Sequence, residues 1–186
     1  MAFLDIAQEP EKADAIFVFA GREERKRLGV ELFRAGYAPR LILSVGRFEW
    51  RRFEALELWS DGGLVDMVQT IQAPERHFFV HVERDRATCD RIRIGRLGTM
   101  TEARALAAVI DEAELRSVLI VSSPEHLPRC FVALRTVVAP ACRLIPVASA
   151  PSNELPGLAV ARELAKLAAY GIAAIPTFLW RRRRIS

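Results

Sequence analysis

Short apolar runs alternate along the chain with longer stretches whose apolar residues recur at helical spacing. The runs "DAIFVFAG" (Asp14–Gly21), "RLILSVG" (Arg40–Gly46), "HFFVHVE" (His77–Glu83), "SVLIVS" (Ser117–Ser122) and "CRLIPVA" (Cys142–Ala148) read as buried strands. "REERKRLGVELFRAG" (Arg22–Gly36) reads as a helix with Leu28, Leu32 and Phe33 on one face and Gly36 as its stop. "FEWRRFEALELW" (Phe48–Trp59) is helix-like, with a turn at Asp61, Gly62 and Gly63. Further helices are expected over Thr99–Leu115, over Pro124–Val138 and from about Leu155 onward. Strands separated by helices imply βαβ units and a parallel sheet. The segment "RDRATCDRIRIGRLG" (Arg84–Gly98) breaks the pattern: it carries five arginines and no helical period, and its "RIRI" alternates like an exposed edge strand. No repeat and no linker divides the chain, so residues 1–186 are read as one domain ending in a basic tail at about 181–186.

Composition narrows the function classes. The net charge of +4 equals the contribution of Arg181, Arg182, Arg183 and Arg184. The remainder is neutral, so no nucleic-acid face is expected. Cys89, Cys130 and Cys142 form no CxxC pair, which argues against a disulfide framework or a zinc site and suits a reducing, cytoplasmic compartment. The first residues, "MAFLDIAQEPEK", lack the apolar run of a secretory signal. Near the other end, Leu167 to Trp180 is uncharged but too short to span a bilayer, and Pro176 interrupts it. Two readings stand there. Either Leu164, Leu167 and Ile172 pack a helix on the sheet, or Phe178, Leu179 and Trp180 with the four arginines make a peripheral contact with anionic membrane.

Ligands of open parallel sheets bind beyond the carboxyl ends of the strands. Those ends are expected at Gly21-Arg22, Ser44-Val45-Gly46, Glu83 and Ser122-Ser123. In "VLIVSSPEHLPRC" (Val118–Cys130), Ser123 suits an N-cap, Pro124 the first helical position and Glu125 the positive end of the helix dipole. His126 and Arg129 are not explained by capping. Three apart, they share a helix face near the strand ends, where Arg129 would fork onto a phosphate or carboxylate and His126 would donate a hydrogen bond or move a proton. Thr99 and Glu102 fit a capping box, and Arg25, taken alone, reads as a solvated charge. Ser122 or Ser123 with His126 lacks triad spacing, and "SSPEH" lacks the nucleophile-elbow glycines. His77 and His81 share a strand face, but no acidic residue is spaced to complete a metal site. Neither the dinucleotide fingerprint nor a P-loop occurs, so no cofactor is named by the sequence.

In order along the chain, "ADAIFVFAG", Arg25, "ELFRAGYAPRLILSVG", "VLIVSSPEHLPRC" and "ARELAKLAAY" resemble the YdcF-like family, which includes the SanA and ElyC envelope proteins. The similarity runs from about Ala13 to Tyr170, and "VLIVSSPEHLPRC" is its most specific motif. The resemblance implies a Rossmann-like α/β fold: an open, mainly parallel sheet with helices on both faces. It also implies a polar pocket built from Gly21, Arg25, Ser44, Gly46, Glu83, Glu102, Ser123, His126 and Arg129, and a connection with cell-envelope biogenesis. The chain departs from the family pattern where Val45-Gly46 replaces paired glycines, and where "LGTMTEA" keeps Glu102 but not the surrounding serine and asparagines. The functional expectation is a protein that binds a small anionic, phosphate- or nucleotide-bearing ligand. An enzyme version would use His126 and Glu102 as acid/base pair in a hydrolase or transferase. A rival is a non-catalytic sensor or scaffold beside the membrane.

Overall fold

The computed structural model describes residues 6–46, 49, 77–83, 86–93, 95 and 98–150. The helix expected over Phe48–Trp59 (Glu49 apart), the turn at Asp61, Gly62 and Gly63, the helix from Leu155 and the basic tail lie outside the described residues.

Six strands form one sheet in the order β4-β3-β2-β1-β5-β6. They are β1 (Ala15–Val18), β2 (Arg40–Val45), β3 (Phe78–Glu83), β4 (Arg86–Arg91), β5 (Ser117–Ser122) and β6 (Arg143–Ala148). Described helices are α1 (Glu23–Arg34), α2 (Gly98–Glu112) and α3 (Leu127–Val137). The fold is α/β, a mostly parallel mixed sheet of the Rossmann-like open type.

Strands β2, β1, β5 and β6 run parallel. Their apolar residues are buried on both sides, as expected of a sheet covered by helices. Ala15, Phe17, Phe19, Val118 and Ile120 pack with Met100, Leu106 and Ile110 of α2 and with Leu127, Ala133 and Leu134 of α3. Ile16, Val18, Leu41, Leu43, Leu119 and Val121 pack on the other face with Val30 and Leu32 of α1. Pro146, which cannot donate to a ladder, sits in edge strand β6, where its carbonyl accepts from Gln8 N–H.

Two strands are the exceptions within the mainly parallel sheet that was expected. β3 is antiparallel to β2, and β4 returns antiparallel beside β3, pairing Glu83 with Arg86. Part of the Arg84–Gly98 excursion is thus an edge strand, centred on "RATCDR" rather than on "RIRI".

The order in which strands are added reverses between β1 and β5, which themselves run parallel. From β1 the chain runs through α1 to β2 on one side, and it later re-enters at β5 on the other. That junction is the topological switch point, where open α/β sheets leave a crevice at the carboxyl ends.

Helix α1 lies close against β1 because Gly29 has no side chain. A Cβ at that position would stand 2.3 Å from Val18 Cγ2 and 3.6 Å from Leu41 Cδ1. Val18 is fully buried and β-branched, so it has little freedom to move aside. Gly29→Ala gains helix propensity, worth up to ~1 kcal/mol, yet overpacking of this kind costs ~1–3 kcal/mol. Chemical denaturation is expected to show a net loss of stability for Gly29→Ala. A stabilised variant would contradict the tight α1–β1 contact.

Candidate functional site

Strand ends β1, β2 and β5, the start of β3, and the first turns of α1 and α2 meet in one cluster of polar groups. At its centre is Arg25 on α1. Its Nη1 donates to Ala20 C=O at 2.7 Å, beyond β1, and its Nη2 donates to Ser123 Oγ at 2.7 Å, beyond β5. The guanidinium therefore spans the switch point. It is only 6% exposed, and burial lowers its pKa while the Cys130, Glu125, Glu102 and Glu49 side chains oppose that effect. Arginine retains its charge in such settings. Gly21 makes the approach possible: at φ +133°, a Cβ there would stand 2.7 Å from Arg25 Nη1.

Next to Arg25, Lys26 is 3% exposed and ion-paired with Glu49. Burial pulls its pKa down, and the Glu49 carboxylate works against that. Glu49 Oε1 also accepts from Gly21 N–H at 2.6 Å, so one carboxylate bridges a buried ammonium and a strand-end amide.

Glu102 approaches from the opposite face. Its Oε1 accepts from Ala20 N–H at 3.0 Å and from Ser44 Oγ–H at 2.5 Å. The capping-box expectation is thereby corrected: these bonds tie α2 to the ends of β1 and β2 instead of closing back on Thr99. Burial pushes the Glu102 carboxyl above the usual carboxylate range, against the hydrogen bonds from Ser44 and Ala20. His77, just ahead of β3, completes a chain, with Nε2 2.9 Å from Ser44 Oγ and 3.8 Å from Glu102 Oε1. Burial, reinforced by the charge on Lys26, pushes its pKa down from 6.5 to about 4, so the ring is neutral at pH 7.

The turn after β5 differs from its expected form. Ser123 accepts His126 N–H and Leu127 N–H through its carbonyl, both at 2.9 Å, and its hydroxyl is taken by Arg25. It is therefore not a side-chain N-cap. Residues 124–126 form a turn, and α3 begins at Leu127 with Pro128 in its first turn. His126 Nδ1 faces Ser122 Oγ at 3.2 Å and Cys130 Sγ. Arg129 follows on the first turn of α3, nearly as buried as Arg25. Cys130 is buried, and burial pushes its thiol pKa up, which disfavours the thiolate.

The structure thus brings together Gly21, Arg25, Ser44, Glu102 and Ser123. Gly46 borders them, since a Cβ there would stand 3.2 Å from Glu49 Oε1. His126 and Arg129 stand on the adjoining turn. Glu83 does not belong: because β3 runs antiparallel, Glu83 pairs with Arg40 at the start of β2, at the far end of the sheet. The residue that β3 contributes is His77, from its amino end.

Sequence reasoning did not assign Lys26, Glu49 or His77 to this site. For Lys26 one signal existed. It is one of three lysines in a chain with 24 arginines, placed between Gly21 and Gly29.

A cleft of about 830 Å³ opens at the opposite end, lined by Asp14, Arg40, Glu83, Arg86, Glu114 and Arg116 among others. Its lining groups are partly engaged locally: Arg40 pairs with Glu83, and the Asp14 carboxylate accepts from the backbone N–H groups of Arg116 and Ser117. The strand-end cluster is preferred because its cations are buried and converge on a switch point, a placement that needs a reason beyond solubility. No protein-family model, no curated protein and no solved structure matches the chain.

His77 gives the cluster a pH signature. With its pKa depressed in the fold, its contribution to stability is complete above about pH 6.5 and is lost as pH falls toward 4, because only the unfolded chain takes up the proton. The full effect approaches ~3 kcal/mol at 1.36 kcal/mol per pH unit. Glu102, with its raised pKa, works in the opposite sense as pH rises, so the wild type must be compared with His77→Gln. The stability difference between the two is expected to shift against the wild type as pH falls from 6.5 to 4. A constant difference would contradict a neutral buried His77.

Proposed function

We propose that this chain is a YdcF-like α/β protein whose strand-end crevice binds a small anionic, phosphate- or nucleotide-bearing molecule. The observation that carries the reading is the convergence of Arg25 and Lys26, both nearly fully buried, with the Gly21 amide at the switch point. Cations without bulk water around them attract an anion far more strongly than surface cations do. Arg25 contributes through its field, since both of its Nη atoms are engaged internally. Lys26, the Gly21 N–H and Arg129 are the groups assigned to direct contact. The motif "VLIVSSPEHLPRC" supports a place for the protein in envelope biogenesis on the cytoplasmic side, with the tail from Phe178 to Arg184 touching anionic membrane. Among the described residues no helix is long and apolar enough to cross a membrane.

Binding is preferred to catalysis for a specific reason. Glu102 Oε1 is committed to Ala20 and Ser44, and His126 Nδ1 faces Ser122 and Cys130, so the proposed acid/base atoms are occupied inside the protein. A hydrolase or transferase would need both rearranged on ligand binding.

Calorimetric titration with inorganic phosphate and nucleoside phosphates tests the reading. Arg129→Ala is expected to weaken binding by ~1.5–3 kcal/mol, the range for a hydrogen bond to a charged group. Glu83→Ala, at the other end of the sheet, is expected to leave it unchanged. Unchanged affinity in Arg129→Ala, or a loss in Glu83→Ala, would contradict the site.

A further inference from the structure

The contacts of Glu49 have the form of a bound ligand's contacts. Its two carboxylate oxygens divide between the Gly21 amide and the Lys26 ammonium. A phosphate or a ligand carboxylate would use the same two donors in the same way. Space for the occupant is kept by glycine on two sides. Gly21 turns its N–H inward at φ +133°, and Gly46 brings its bare Cα so close that a Cβ would stand 3.2 Å from Glu49 Oε1. The donors are fixed while the occupant is marginal: the Lys26 side chain is 4% exposed and that of Glu49 is 19% exposed. Locally, the Glu49 N–H donates to Gly46 C=O at 2.9 Å, which holds the residue in a turn. Beside this pair, Arg25 Nε is buried and makes no hydrogen bond, so the crevice retains donor capacity that the protein does not use.

We infer that Gly21 N–H and Lys26 form the subsite for the ligand's anionic group, and that Glu49 fills it as an intramolecular stand-in that the ligand displaces. The inference rests on the anion-binding reading above and adds its regulation. Displacement costs the ligand part of its affinity, because only molecules with Glu49 withdrawn are competent. It also keeps Lys26 paired when no ligand is present, so that no buried charge is left uncompensated.

Inorganic phosphate is the probe, titrated calorimetrically into the full chain and into Glu49→Gln, Glu49→Asp and the double variant Lys26→Gln/Glu49→Gln. Glu49→Gln removes the competing charge and keeps the shape, so phosphate is expected to bind it about tenfold or more tightly than wild type, a change of ~1.4 kcal/mol. Glu49→Asp, too short to keep both contacts, is expected to move the same way by less. The double variant is expected to lose the gain. Without phosphate, the melting temperature of Glu49→Gln should fall, and phosphate should raise it more than it raises that of the wild type. Should Glu49→Gln fail to fold, Glu49→Asp decides the matter alone. Equal or weaker phosphate binding in Glu49→Gln and Glu49→Asp than in a wild type that does bind phosphate overturns the inference and leaves the anion-binding reading in place. Absence of phosphate binding in the wild type and in every variant overturns both.

Discussion

The bridge made by Arg25 is the interaction on which the rest of the strand-end arrangement depends. An open α/β sheet has a crevice where the strand order reverses, and here that crevice is crossed by a guanidinium bonded to Ala20 C=O on one side and Ser123 Oγ on the other. Each hydrogen bond to a charged group contributes ~1.5–3 kcal/mol, so the bridge constrains both neighbouring turns. Gly21 must be glycine to admit it, and Ser123 must give up side-chain capping to accept it. The delayed start of α3 at Leu127 follows, because the Ser123 carbonyl rather than its hydroxyl closes the turn.

Around that bridge, charges alternate in a way that balances desolvation. Lys26 is answered by Glu49, and Glu102 is held by neutral donors on Ala20 and Ser44, with His77 kept neutral behind Ser44. Arg25, Lys26 and Arg129 are set against Glu49, Glu102 and Glu125, so any drift of Glu102 toward its protonated form leaves cations in excess. A crevice biased in this direction favours an anion by Coulomb attraction at low effective dielectric. The opposite cleft carries more exposed groups, among them the Arg40–Glu83 pair. The strand-end cluster is the better guide to a site because binding an anion explains why cations are buried there at all.

Much of this was legible in the sequence. Period-two and uninterrupted apolar runs placed five of the six strands within a few residues, and glycine and serine at their ends put Gly21, Ser44 and Ser123 at the strand ends where the structure has them. What the pattern missed has physical causes. An apolar strand buried on both faces carries no mark of its direction, so β3 was read as parallel and Glu83 was put at the wrong end. A capping box and a carboxylate that reaches Ala20 and Ser44 look identical in sequence, since the difference lies in partners 58 and 82 residues away. Arg25 read as a solvated charge, and Lys26 drew no assignment, because nothing local shows that Gly29 lets α1 close onto β1 and bury both. The same close approach carries Arg25 into the crevice.

The central claim is that the anion binds at the switch point and not in the opposite cleft. Backbone amide shifts recorded by NMR during a phosphate titration test this most directly, because they report where the anion arrives without depending on how tightly it binds. The account predicts that the largest shifts fall on Gly21 and its neighbours Ala20 and Arg22, and on Ser123 across the crevice. Shifts confined to Arg40, Arg86 and Arg116 would place the anion at the far end of the sheet and contradict it.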